Sequence, residues 1–239
     1  MNDTEEPEKR TRQREISRKY INIPVEFLIK HNLTPNKISI IGFTLSLIGS
    51  FLISIGWMYY SLWFSWMVPT FIGLAGTFDL LDGEVARRTG KVTPAGAYLD
   101  SNLDRLSDAL LILGLTYGGL IDFLLGYVLL FLVIMISYTR SRAENEGIDM
   151  KGIGLMERAD RMLFLIFTII FELIFYFTTM LIFGEPITIF IPFITRIPVS
   201  PIFLFAIIIF TVLSVYTIIQ RLSFTFNKLK DVNANEKEI

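Results

Sequence analysis

Between Ile38 and Phe78 the chain carries no charged residue. That run of 41 positions is too long for one membrane helix and right for two of about 20 residues each. It constrains the fold to an all-α integral membrane protein, because a lipid core leaves backbone amides and carbonyls no partners but those within a helix. The composition agrees: 52% hydrophobic, 19% charged, and a mean hydropathy of +0.54. There is no cysteine, so disulfides, thiolate catalysis and cysteine-bound metals are excluded. A single histidine, His31, cannot build a multi-histidine metal site.

The sequence predicts six transmembrane helices in a domain spanning residues 34–226. Gly56–Ser61 is the hairpin of the first pair, with Trp57, Tyr59, Tyr60, Trp63 and Trp66 as an interfacial aromatic cluster. The third span runs from Ala95 to Leu120, the fourth from Phe123 to Ala143, the fifth from Glu157 to Phe183 and the sixth from Pro201 to Phe226. Four prolines between Pro186 and Pro201 argue against a helix there. In residues 1–33, a polar stretch without the apolar core of a signal peptide precedes Glu15–Leu28. There Ile16, Tyr20, Ile23 and Phe27 share one helical face, the pattern of an amphipathic helix lying on the bilayer. Residues 227–239 read as a polar tail. Of the 22 lysines and arginines, all but Arg196 fall on one side if both termini share it, which predicts a cytoplasmic location for both.

Against this apolar background stand two acid pairs. Asp79 and Asp82 close one helix, and Asp100 and Asp104 open the next. Spacings of three and four put each pair on one helical face, and the short Arg88–Pro94 connection makes the helices neighbours. A lone Asp near a membrane centre costs about 2.5–3.5 kcal/mol on insertion scales, so four gathered carboxylates call for counter-charge. An all-oxygen set selects Mg²⁺ or Mn²⁺, or else Ca²⁺. Two such ions can neutralise a pyrophosphate and stabilise the attacking and leaving oxygens. Gly83 and Gly96 permit close approach of a ligand, and Arg87 is a candidate phosphate partner.

The spacing D-x2-D-G-x2-A-R-x8-G-x3-D-x3-D is filled by Asp79, Asp82, Gly83, Ala86, Arg87, Gly96, Asp100 and Asp104. In this the chain resembles the CDP-alcohol phosphatidyltransferases. The resemblance implies six membrane helices, a homodimer, a cytoplasm-facing site, and a CDP-linked lipid bound through divalent ions. It implies the four aspartates as metal ligands and Asp104 also as general base. It further places Asn36, Lys37, Ile38, Ser39, Gly83, Arg87 and Thr93 near the nucleotide.

A second cluster bears on the acceptor. Arg140 and Arg142 end the fourth span, Arg158 and Arg161 open the fifth, and Arg221 closes the sixth, all at the acid end. Such arginines suit a phosphate. The segments Tyr138–Glu144 and Glu157–Arg161 resemble the family branch that makes phosphoinositol lipids from inositol 1-phosphate, which implies Arg140, Arg142, Arg158 and Arg221 as ligands of the acceptor phosphate. The Gly152–Arg161 stretch is closer to archaeal members, which favours an ether-linked CDP-archaeol donor over CDP-diacylglycerol. Glycerol 3-phosphate is the rival acceptor, whereas serine and ethanolamine would leave the arginines without use. A membrane prenyltransferase needs a second acidic motif, and a cation transporter needs acids along a path, of which only Glu172 offers a hint. Asp108 is expected to pair locally with Arg105. Plasma-membrane residence follows from the spans, and no feature calls for a nucleic-acid partner.

Overall fold

The computed structural model describes residues 21–235, and among them every regular element is helical. Helix α1 covers residues 21–30 and runs through Pro24; the first part of the expected amphipathic segment lies outside the described residues. The bundle follows as α2 (Pro35–Ser54), α3 (Met67–Thr89), α4 (Pro94–Tyr117), α5 (Phe123–Asn145), α6 (Arg158–Phe183) and α7 (Pro201–Asn235). Five stretches are long and apolar enough to cross a membrane, namely Pro35–Ser54, Phe64–Thr89, Phe123–Asn145, Arg158–Phe183 and Pro201–Lys230. Helix α4 falls short on apolarity because it carries four charged residues, Asp100, Asp104, Arg105 and Asp108. Its 24 residues still measure about 36 Å at 1.5 Å per residue.

Two sequence expectations change. The hairpin between α2 and α3 extends beyond Ser61, as two short 3₁₀ turns, Trp57–Tyr59 and Phe64–Trp66. Helix α7 does not end near Phe226 but continues to Asn235, through a stretch that contains no glycine or proline to break it. The proline-rich connection is non-helical as expected and contains one isolated bridge, Ile189 to Val199.

Local chemistry sets the helix ends that matter. Helix α3 stops where Gly90 takes the left-handed conformation, φ 65°. Helix α4 starts at Pro94, four residues after Gly90, with the Thr93 hydroxyl accepting from Gly96 N at 3.1 Å. At the start of α6 the Asp160 carboxylate accepts from Glu157 N at 3.0 Å.

Despite that short turn, α3 and α4 pack chiefly on α2, which fits along both. Small residues allow the approach. A Cβ at Gly42 would meet Phe78 Cβ at 3.2 Å, and one at Gly49 would meet Ile72 Cγ1 at 2.8 Å. On the other side, a Cβ at Gly114 would lie 2.6 Å from the Ser50 carbonyl oxygen. Close backbone approach at small residues is how membrane helices gain dispersion contact without a hydrophobic drive. A large apolar core including Ile72, Ile112, Leu115, Ile169, Phe203 and Phe210 fills the bundle away from the acids. A smaller one, Val25, Leu28, Ile38, Leu81 and Val85, fastens α1 to α2 and α3 beside them.

At the end opposite the acids, Glu172 is wholly buried. It accepts from Tyr59 Oη at 2.6 Å, from Ser200 N at 3.2 Å and from the Ser200 hydroxyl. The carboxylate thus ties α6 to the hairpin and to the loop before α7, a structural knot instead of a permeation site.

The seam is testable. Gly114→Val forces the Cβ against backbone and should cost about 1–3 kcal/mol, read as a lower unfolding temperature in detergent. Gly73→Ala, where a Cβ meets nothing within 4 Å, should leave that temperature nearly unchanged.

Candidate active site

The acids do not close one helix and open the next as the sequence suggested: α3 runs on past Asp82 to Thr89, and α4 begins at Pro94, before Asp100. With both helices packed on α2, the acids converge from two sides. Carboxylate oxygens of Asp79, Asp82 and Asp100 lie within 4.8 Å of one another. Asp82 is buried and accepts from the Ser39 hydroxyl on α2. Asp104 lines the same small cavity, together with Ser39, Ser46, Ser107, Arg158 and Met162. It stands apart from the trio of ligand atoms, and its Oδ1 meets Arg158 Nη2 at 2.9 Å. The other Arg158 terminal nitrogen, Nη1, donates to Asp79 Oδ2 at 2.6 Å. The cavity is small, about 20 Å³, and its carboxylates offer oxygen ligands only, which fits a hard divalent cation.

Two larger chambers open from it. The first, about 360 Å³, is lined by Asn36, Ser39, Gly83, Arg87 and Thr93, with Asp82 and Asp100 at its inner wall. Five expected nucleotide-side residues are therefore brought together. The remaining two are not: Lys37 is exposed and outside the lining, and Ile38 is wholly buried in the small apolar core. Lys91 joins the lining from inside the motif's variable gap, where spacing gave no signal. Arg87 is held at the rim by Glu84 at 2.8 Å, and Glu84 also takes Arg88 at 2.7 Å. Gly96 sits where a Cβ would crowd Thr93 Oγ1 at 3.1 Å and Asn36 Oδ1 at 3.3 Å, so its smallness keeps the chamber wall intact.

The second chamber, about 370 Å³, is lined by Asp104, Arg140, Arg158, Arg161, Arg221 and their neighbours. Arg142 is absent from that lining. It is 61% exposed and turns outward to Glu146, because successive positions one turn-fraction apart leave only Arg140 on the inward face. Arg221 is buried and donates to the carbonyls of Ile153, at 3.0 Å, and Ile136. Gly154, at φ 107°, lets the preceding loop close over it.

Asp108 corrects another expectation. Its partner is not Arg105, which turns back to the Ser101 carbonyl, but Arg161 of α6, at 2.6 Å. Helical direction explains the change: Asp108 points to the same face as Asp104, and that face looks across to α6. Both side chains are nearly inaccessible, at 9% and 3%.

A helical membrane bundle with clustered carboxylates between two polar chambers is built for transfer chemistry on anionic head groups. The chain belongs to the CDP-alcohol phosphatidyltransferase family, whose model matches residues 32–229. Among its relatives, the archaetidylinositol phosphate synthase of Pyrococcus horikoshii is 38% identical over 142 residues, 59% of this chain and 71% of that one. The archaetidylinositol phosphate synthase of Methanothermobacter thermautotrophicus is 44% identical over 95 residues, which span 40% of this chain and 48% of the relative. In three dimensions the chain is similar to the phosphatidylinositol phosphate synthase of Mycobacterium tuberculosis solved with CDP-DAG bound. That similarity has a TM-score of 0.64 at 26% identity and covers 87% of this chain and 94% of the other. The same enzyme solved with manganese and citrate gives a TM-score of 0.63, covering 86% and 88%.

The buried cross-helix pair can be probed directly. Asp108→Ala leaves the Arg161 guanidinium uncompensated and should cost about 3 kcal/mol of stability, the lower end for a broken buried pair because the chamber admits water. Arg105→Ala should cost much less, and thermal unfolding of the two variants checks the contrast.

Proposed function

We propose that this membrane enzyme joins a CDP-activated lipid to myo-inositol 1-phosphate and releases CMP. The observation that carries the reading is the arrangement of two chambers around one acid cup. Asp82 and Asp100 border the first chamber, and Asp104 and Arg158 border the second. A donor in the first and an acceptor in the second would meet at the carboxylates, which converts a bimolecular encounter into a held geometry.

The donor diphosphate belongs at the cup, with Asn36, Ser39, Gly83, Arg87 and Thr93 around the nucleotide. Asp79, Asp82, Asp100 and Asp104 would hold Mg²⁺ or Mn²⁺, two ions in all. When bound, these ions neutralise the diphosphate and stabilise both the entering and the leaving oxygen. Arg140, Arg158 and Arg221 would take the acceptor phosphate through their planar donors. An acceptor hydroxyl then bonds to the phosphorus next to the lipid. The bond from that phosphorus to the bridging oxygen breaks, and CMP leaves with the electron pair. Asp104 receives the hydroxyl proton, a role supported by its place on the wall between cup and acceptor chamber.

The archaeal relatives favour an ether-linked donor such as CDP-archaeol over CDP-diacylglycerol. The lysine and arginine bias favours a plasma-membrane enzyme with the cup and both termini toward the cytoplasm, and the family resemblance favours a homodimer. A second reading, glycerol 3-phosphate as acceptor, uses the same arginine-lined chamber, since that lining answers to a phosphate monoester.

CMP release by purified protein, with ether and ester CDP-lipids and with each acceptor, decides between them. Inositol 1-phosphate should be turned over and free inositol should not; a preference for glycerol 3-phosphate would replace the acceptor assignment. EDTA should abolish turnover, and Mn²⁺ or Mg²⁺ should restore it. Asp104→Asn should lower kcat by about 10²–10⁴-fold with folding intact. Arg140→Ala should raise the KM for the acceptor well above any change for the CDP-lipid, while Arg142→Ala should alter neither.

A further inference from the structure

The four arginines of the acceptor chamber differ in what restrains them. Arg161 is held by Asp108, Arg221 by two backbone carbonyls, and Arg140 by Glu144 at 2.9 Å on its own helix. None of those partners is an acid of the cup. Arg158 alone among the four reaches across, to Asp79 at 2.6 Å and to Asp104 at 2.9 Å. It borders both the acid cavity and the acceptor chamber. Its Nε is buried without a hydrogen-bond partner, so the guanidinium is engaged by its two terminal nitrogens and leaves a third donor unused.

One guanidinium cannot neutralise two carboxylates and bind a phosphate with the same nitrogens. A divalent cation entering the cup would need those carboxylates and would repel a guanidinium a few ångströms away. Relief requires only side-chain torsions of a long arginine, since α6 itself need not move. The neighbouring chamber, about 370 Å³, offers room for the displaced group.

We propose that Arg158 is a positioning residue that couples the metal cup to the acceptor chamber. It stands in for the cation on Asp79 and Asp104, and cation binding turns it toward the acceptor phosphate. Cation and phosphate acceptor then bind with positive cooperativity, each favouring the same arginine position, and the coupling must be reciprocal. This inference rests on the assignment of the cup to divalent ions and of the second chamber to a phosphate.

The test is Mn²⁺ binding to the full-length protein in nanodiscs, read by the electron paramagnetic resonance of free Mn²⁺, without CDP-lipid and therefore without turnover. Saturating inositol 1-phosphate should tighten Mn²⁺ binding to the wild type about tenfold. Arg158→Met should bind Mn²⁺ about tenfold more tightly than the wild type when the acceptor is absent, and adding the acceptor should change nothing further. Arg140→Met removes a charge from the same chamber without touching the cup, so it should keep the coupling at saturating acceptor. Arg158→Gln supplies the same readings if the methionine variant does not fold. Wild-type Mn²⁺ affinity indifferent to inositol 1-phosphate overturns the proposal, and so does coupling that survives in the Arg158 variants, which would mean that the ligand touches the metal directly. Metal-dependent CMP release without coupling overturns this inference alone. A wild type that binds no Mn²⁺ overturns the functional assignment together with it.

Discussion

Four carboxylates held at the edge of an apolar bundle are the constraint to which the rest of the molecule answers. In a low dielectric their mutual repulsion and lost hydration are large, and removing either partner of a buried pair leaves the other uncompensated. The protein meets this with a guanidinium from a third helix, a serine hydroxyl from a fourth, and open polar space on two sides. Asp79 and Asp104 stand near the middle of the helices that carry them, so it is the open chambers on either side, not a place at a helix end, that give ligands access to the acids.

Convergence of the acids depends on helix α2. The turn at Gly90–Thr93 joins α3 to α4, but the two helices pack along α2 more than along each other. Glycines make this possible on both sides of α2, Gly42 and Gly49 toward α3 and Gly114 of α4 toward the Ser50 backbone. Ser39 lies on the same helix and reaches Asp82. Helix α2 therefore both spaces the acid-bearing helices and supplies a hydrogen bond within the cup. The Glu172 knot at the opposite end secures α6, whose first turn carries Arg158.

Much of this was legible in the sequence because hydropathy and motif spacing are local properties. The apolar runs located five of the six expected spans among the described residues, and the eight-position motif brought Asp79, Asp82, Asp100 and Asp104 to one cavity. What stayed hidden depended on side-chain direction and on contacts distant in sequence. Arg142 shares a segment with Arg140 yet faces away from the chamber. Ile38 sits beside Ser39 but belongs to an apolar core. Asp108 lay within reach of Arg105 by spacing alone, whereas its partner, Arg161, is 53 residues away. Glu172 looked isolated because its donors, Tyr59 and Ser200, come from a hairpin and a loop whose meeting no periodicity encodes.

The unlike linings of the two chambers support a division of labour. The first mixes Pro35, Ala86, Val92 and Ala97 with a few polar groups and two cations at its mouth, Arg87 and Lys91. Such a wall suits a ligand that is part base and sugar, part phosphate, and tethered to acyl or isoprenoid chains. The second has almost no apolar lining: Ser101, Ser137 and Ser141 stand among arginines and acids. A small polyhydroxylated phosphate can satisfy those donors and acceptors, while an uncharged alcohol brings no charge to the arginines beyond the partners they already hold. In the reading proposed above, preference for a phosphorylated acceptor would draw on burial as well as charge, because Arg221 is almost wholly withdrawn from solvent.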